Sequence, residues 1–120
     1  MLKNLVRSFA AVGLFAGLAA SLSAAQIEGT LIDKMCSAKA LKNGQSFAAS
    51  HDKMCALAPP CQKSGYGVFT SDNKFLTFDE AGNAKAVTAL KATNKNDNLK
   101  VKVDGDVQGD TIKVSSLKLE

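Results

Sequence analysis

The sequence predicts a small, mainly β domain: a five-stranded OB-like barrel with one or two short helices. Three observations predict it. Several segments alternate apolar and polar residues at the period of a strand, most cleanly 99–107 and 111–119. A helical pattern over 79–93 falls between the third and fourth of these segments. A long stretch without period two, 34–64, is inserted after the first. The order strand, insert, strand, strand, helix, strand, strand matches a five-stranded Greek-key barrel, whose loops often carry the binding site.

Each element has its own signal. The first strand, 26–33 (QIEGTLID), sets Ile27, Gly29 and Leu31 on one face and Glu28, Thr30 and Ile32 on the other, with Gly29 marking a bulge or sharp bend. The insert holds every Cys, the only His and both Pro. Within it, 46–57 reads as a short helix capped by Ser46 or Ser50 and stopped by Pro59-Pro60. That helix would align Phe47, His51, Met54 and Cys55 on one face. Strands at 65–70 and 74–78 flank the turn Ser71-Asp72-Asn73 and make a hairpin. The helix over 79–93 is capped by Asp79 or Asn83, with Ala84, Val87 and Leu90 as its apolar stripe. Leu99, Val101 and Val103 point inward from the next strand. After the turn at Gln108-Gly109-Asp110, the inward set shifts from Ile112 and Val114 to Leu117 and Leu119, so Ser115-Ser116 is the place for a β-bulge. The predicted core is Ile27, Leu31, Val68, Leu76, Phe78, Val87, Leu90, Leu99, Val101, Val103, Ile112, Val114 and Leu117.

The chain has 120 residues, which suits one domain and excludes a large multidomain enzyme. Residues 1–25 read as a secretory signal peptide. Lys3 and Arg7 precede an apolar run over 9–20, and Ser23 and Ala25 suit cleavage before Gln26, with cleavage after Ala24 the neighbouring choice. The apolar run is short for a membrane span. No Cys stands at the cleavage point, which disfavours a lipoprotein anchor. The expectation is one domain, 26–120, periplasmic or secreted, with no membrane span in the mature chain. The formal net charge is +4, and removing Lys3 and Arg7 leaves +2. Arg7 is the only arginine. Bidentate reading of phosphates or base edges relies on Arg, so nucleic acid is not an expected partner.

The residues GTLIDKMC at 29–36, the His- and Cys-rich stretch after them, the Lys-Ser-Gly-Tyr-Gly approach to a strand and LKVKVDGDVQGDTIKVSSL at 99–117 carry a resemblance. The chain resembles a group of small exported bacterial OB-fold-like proteins of unassigned function with a cysteine-bearing first loop. The resemblance implies the fold and the exported compartment, and no activity.

Chemistry points to the three cysteines. Cys36, Cys55 and Cys61 with His51 offer three thiolates and an imidazole, the ligand types of a structural zinc site. With Met35 or Met54 nearby, the same thiolates suit Cu(I). A metal would also fix a loop with little apolar surface of its own. The competing reading is one disulfide and a spare thiol, as an oxidising compartment favours. Cys36–Cys61 would clamp the insert at its ends, Cys55–Cys61 would close a small loop around the prolines, and spacing does not choose. The expected function is therefore a non-enzymatic binding module holding zinc or copper through Cys36, His51, Cys55 and Cys61. The alternative is a disulfide-stabilised protein that meets an envelope partner.

Three other motifs are weaker. His51 and Cys55 as base and nucleophile lack any accompanying CxxC or substrate-positioning pattern. The stretch 104–110 starts like a calcium loop, but Gln108 and Ser115 stand where ligands are needed. Lys100, Lys102, Lys113 and Lys118 read as a solvated sheet face that discourages edge pairing.

Overall fold

A computed structural model describes residues 24–120. The leader assigned to 1–25 lies outside the described residues, apart from Ala24 and Ala25, which open the first strand. Five strands close into a barrel in the order β1-β2-β3-β5-β4. They are β1 (Ala24–Asp33), β2 (Tyr66–Thr70), β3 (Phe75–Phe78), β4 (Lys100–Gln108) and β5 (Thr111–Leu119). All neighbours pair antiparallel except β3 and β5, which run parallel for one short contact, Thr77 to Thr111 and Phe78 to Ile112.

β1 is the strand that closes the barrel. Its first part pairs with β4 and its second with β2, and the two ladders overlap at Gly29 and Thr30. Gly29 is needed there, because a Cβ would stand 2.3 Å from the Phe69 carbonyl oxygen. The expected bulge in β5 is present: Asp104 faces Ser116 while Gly105 faces Val114, so Ser115 is the extra residue.

Every residue of the predicted core is buried in the main cluster or packs against it. Leu31, Val68, Leu90, Leu99, Val101, Val103 and Ile112 are fully buried. Each contributes about 1.5–3 kcal/mol by leaving water. The helix between β3 and β4 packs against β5 and helps seal the barrel. It spans Glu80–Ala92 and is capped by Asp79, whose side chain accepts from the Gly82 N–H at 3.0 Å. Its buried face is Gly82, Ala86 and Leu90, with Val87 half-buried. Ala84, expected on that face, is exposed.

The insert departs most from expectation. It forms four short helices: α1 (Lys34–Asn43), α2 (Gln45–Ser50), α3 (Lys53–Leu57) and α4 (Pro59–Ser64). The Glu80–Ala92 helix is thus α5, and five helices stand where one or two were expected. Nor is there one helix over 46–57. The Asp52 side chain accepts from the Cys55 N–H at 2.7 Å, which makes Asp52 the start of a new helix and leaves His51 extended at the end of α2. His51 and Cys55 therefore do not share a helix face. Neither Ser46 nor Ser50 caps: Gly44 precedes α2 and Asp52 precedes α3. Pro59 and Pro60 open α4 rather than ending a longer helix, since the first turn needs no N–H from them.

The four helices lie close on the sheet because each buries one small residue: Ala40, Ala48, Ala56 and Cys61. Ala40 and Ala48 cover Ile32 and Phe69 in a second cluster outside the barrel. Ile32, which alternation turns away from the barrel interior, is fully buried for this reason. No helix of the described residues is long and apolar enough to cross a membrane.

Candidate metal centre

The site forms where β1 runs into α1. Asp33 is the last residue of β1 and the N-cap of α1, and it is fully buried. Its Oδ2 accepts from the Cys36 N–H at 3.0 Å, as an N-cap should. Its Oδ1 lies 2.6 Å from His51 Nε2, and the two side chains are 0% and 2% exposed. Ligand atoms of Asp33, Cys36 and His51 all fall within 4.8 Å of one another. The strand end places Asp33, the first turn of α1 places Cys36, and the break before α3 turns His51 inward.

Burial works against the Asp33 charge. The hydrogen bond and charge of His51, the Cys36 N–H and the Cys61 thiol outweigh it and hold the carboxyl below the usual 3.8. An ionised carboxylate only accepts, so His51 Nε2 carries the proton of this bond. In the neutral ring, Nδ1 then keeps the lone pair. The edge-on ring of Phe47, with centroids 5.9 Å apart, packs against His51 and limits its rotation. A carboxylate that fixes the tautomer of a ligating histidine is the usual support of a metal site. Both Asp33 oxygens are engaged, so Asp33 fits that supporting role better than direct ligation.

Cys61 adjoins the group. It is buried on α4, close enough to Asp33 for that carboxylate to act on its thiol. Burial and then the Asp33 charge push the Cys61 thiol up. The same two causes push the Cys36 thiol up to about 11. Burial, then Asp33 and Cys61, raise the Tyr66 hydroxyl to about 12, and that hydroxyl donates to the Ala56 carbonyl at 2.6 Å. Burial first and the Asp33 carboxylate second make the thiols of this pocket keep their protons, and a buried carboxylate is a group that attracts a cation.

Of the four ligands read from the sequence, Cys36 and His51 lie in the tight group and Cys61 flanks it. Cys55 is exposed on α3, its thiol pushed up by the adjacent Asp52 carboxylate. All three cysteines are free thiols. Asp33 was not singled out from the sequence. The signal that could have found it is Asp-x-x-Cys: Asp-Lys-Met-Cys occurs at 33–36 and again at 52–55, and both aspartates cap the helix that carries the cysteine.

A groove of about 710 Å³ lies elsewhere, between α5 and β5; it is lined by Ala84, Lys85, Thr88 and Leu117 among others and contains none of these ligands. The Asp104–Asp110 stretch is hairpin, with Asp104 engaged by Gln26 and Ser116.

No known protein family, curated protein or solved structure matches the chain.

Proposed function

We propose that the chain is an exported domain built on an OB-type barrel that binds one transition-metal ion through Cys36, His51 and Cys61. Asp33 orients His51 in this reading. The observation that carries it is the meeting of Asp33, Cys36 and His51 within 4.8 Å in a largely buried pocket. The donor set suits zinc or copper: borderline imidazole and soft thiolate. The strand order, with the α5 helix before β4, is the support for the OB assignment. The leader read from 1–25 supports export to the periplasm or medium.

A binding role fits better than thiol catalysis. A nucleophilic cysteine needs a lowered pKa, and Cys36 is pushed the other way, to about 11. The absence of arginine beyond Arg7 speaks against nucleic acid as a partner.

Titration of the reduced, metal-free protein with Zn²⁺ against a chromophoric chelator tests the reading. One equivalent should bind to the wild type, and Cys36→Ser, Cys61→Ser and His51→Ala should each weaken it. Binding that survives all three substitutions refutes the assignment. One observation favours a second reading. Cys36 on α1 and Cys61 on α4 both border the Asp33 carboxylate as free thiols, so an oxidising compartment could join them and leave a clamped insert that meets an envelope protein. Chelator then does nothing to the fold and reductant loosens it, the reverse of the metal case.

A further inference from the structure

The α5 helix does not close down on β5 along its whole length. The groove of about 710 Å³ between them continues past Ala92 and Leu117 into a second one that ends at Lys118 and Leu119. The trough stays open because α5 presents Ala81, Ala84, Ala89 and Ala92 to it, side chains too short to reach across to the strand. Leu117 and Leu119 are left half-buried. None of Asp33, Cys36, His51 and Cys61 lines the trough.

One wall of this trough is an unpaired strand edge. β5 pairs with β4 along its length but with β3 only at Thr111 and Ile112. Asp79 extends that second edge slightly: its N–H donates to the Ile112 carbonyl at 3.1 Å, and its Oδ1 accepts from the Val114 N–H at 3.2 Å. The bulge at Ser115 then shifts the phase. The Glu120 N–H donates to the Lys100 carbonyl at 2.9 Å, so alternation turns the backbone groups of Lys118 and Ser116 toward β4 and those of Leu117 and Leu119 toward the open edge. Among the described residues no strand meets that edge beyond Ile112. Free backbone N–H and C=O groups beside an apolar trough are a template for one more strand.

We propose that the β5 edge and α5 take up an extended acidic segment of another protein as an added strand. Charge selects the occupant. The charged side chains lining the trough are Lys85 and Lys118, both exposed, and no acidic residue among the described ones lines it. Neither lysine is held in an ion pair with a described residue. Side chains of an added strand alternate between two faces. One set lies over Leu117 and Leu119 and must be small and apolar to fit under α5. The other set flanks Lys118 on the outer face, where carboxylates complement the lysines and a basic segment is repelled. The ligand is thus a peptide alternating apolar and acidic residues, held by main-chain hydrogen bonds. This site is independent of the metal reading, whose residues take no part in it.

The test uses the full chain and a short fluorescein-labelled peptide in which Glu and Val alternate, with a Lys–Val counterpart beside it. Fluorescence anisotropy should show saturable binding of the Glu–Val peptide alone. Lys85→Glu and Lys118→Glu, both at exposed positions, should each weaken it about tenfold, as expected when a surface attraction becomes a repulsion. A Glu–Val peptide N-methylated at alternate residues, and so unable to donate to the edge, should not bind. Amide hydrogen exchange read by NMR should find Leu117 and Leu119 unprotected in the free protein and protected with peptide, while Lys118 is protected in both. No binding at millimolar peptide, equal binding of the Lys–Val or N-methylated peptide, or unchanged exchange at Leu117 and Leu119 overturns the proposal. Protection of those two amides that grows with protein concentration in the absence of peptide also overturns it, and gives the edge to a second copy of this chain.

Discussion

Asp33→Ala is the substitution on which the account of the site can be weighed, because the chain supplies its own control. Asp33 and Asp52 occupy the same position of the same tetrapeptide, and both accept a Cys N–H, at 3.0 and 2.7 Å. Only Asp33 is buried and bonded to His51. Losing an N-cap costs about 1 kcal/mol. Leaving His51 Nε2–H buried without an acceptor adds about 1–3 kcal/mol. Asp33→Ala should therefore lose about 2–4 kcal/mol, a fall in Tm on the order of 10–20 °C for a domain of this size. Asp52→Ala loses a solvent-exposed cap alone and should cost clearly less. Asp33→Asn keeps an acceptor and loses the charge, for about 1 kcal/mol. Urea unfolding of the reduced, metal-free protein, followed by far-UV circular dichroism, gives all three values. If Asp33→Ala falls within the cost of Asp52→Ala, the Asp33–His51 bond is not holding the insert and the reasoning fails.

The same carboxylate sets an acid limb. Its folded pKa lies below the ordinary 3.8, so its stabilisation is complete above that value and is lost as pH falls through the lower, folded one. An acid unfolding curve that Asp33→Asn leaves unchanged in that window would contradict this. Cys36, raised to about 11, stays a thiol at neutral pH, so iodoacetamide should label exposed Cys55 well before Cys36 or buried Cys61, as peptide mapping would read. Tyr66→Phe should cost about 1–2 kcal/mol by stripping the Ala56 carbonyl of its donor, and a shift within error in urea would count against that bond. Gly29→Ala forces a Cβ to within 2.3 Å of the Phe69 carbonyl oxygen. The barrel should lose at least about 1–3 kcal/mol, and an unchanged Tm would show that β1 and β2 do not approach as described.

The strands were legible because one physical signal, alternation, governs them. Leu99, Val101 and Val103 follow it without exception, and the phase change between Val114 and Leu117 placed the bulge at Ser115-Ser116, where the register puts it at Ser115. Ile32 was misjudged because alternation says which face a side chain takes and not whether something covers that face. The insert was poorly legible. Its helices are five to ten residues long, too short for a stable apolar stripe, and each is set by a single side-chain cap or glycine. A period of 3.6 could thus be drawn through 46–57 although Asp52 divides it. Among the site residues, the chemistry of Cys36, Cys61 and His51 was visible as residue type. Their grouping was not, since it depends on Asp33, which reads in the sequence as an ordinary strand end. Cys55 shows the converse: its residue type suggested a ligand and its place on α3 is at the surface.

The most direct test of the central claim is the native mass of the protein recovered, without added reductant, from the cells that make it, followed by alkylation after denaturation. The account predicts a mass raised by one transition-metal ion and three alkylated thiols. A metal-free mass two hydrogens light, with one alkylated thiol at Cys55, would contradict it and establish the Cys36–Cys61 bridge instead.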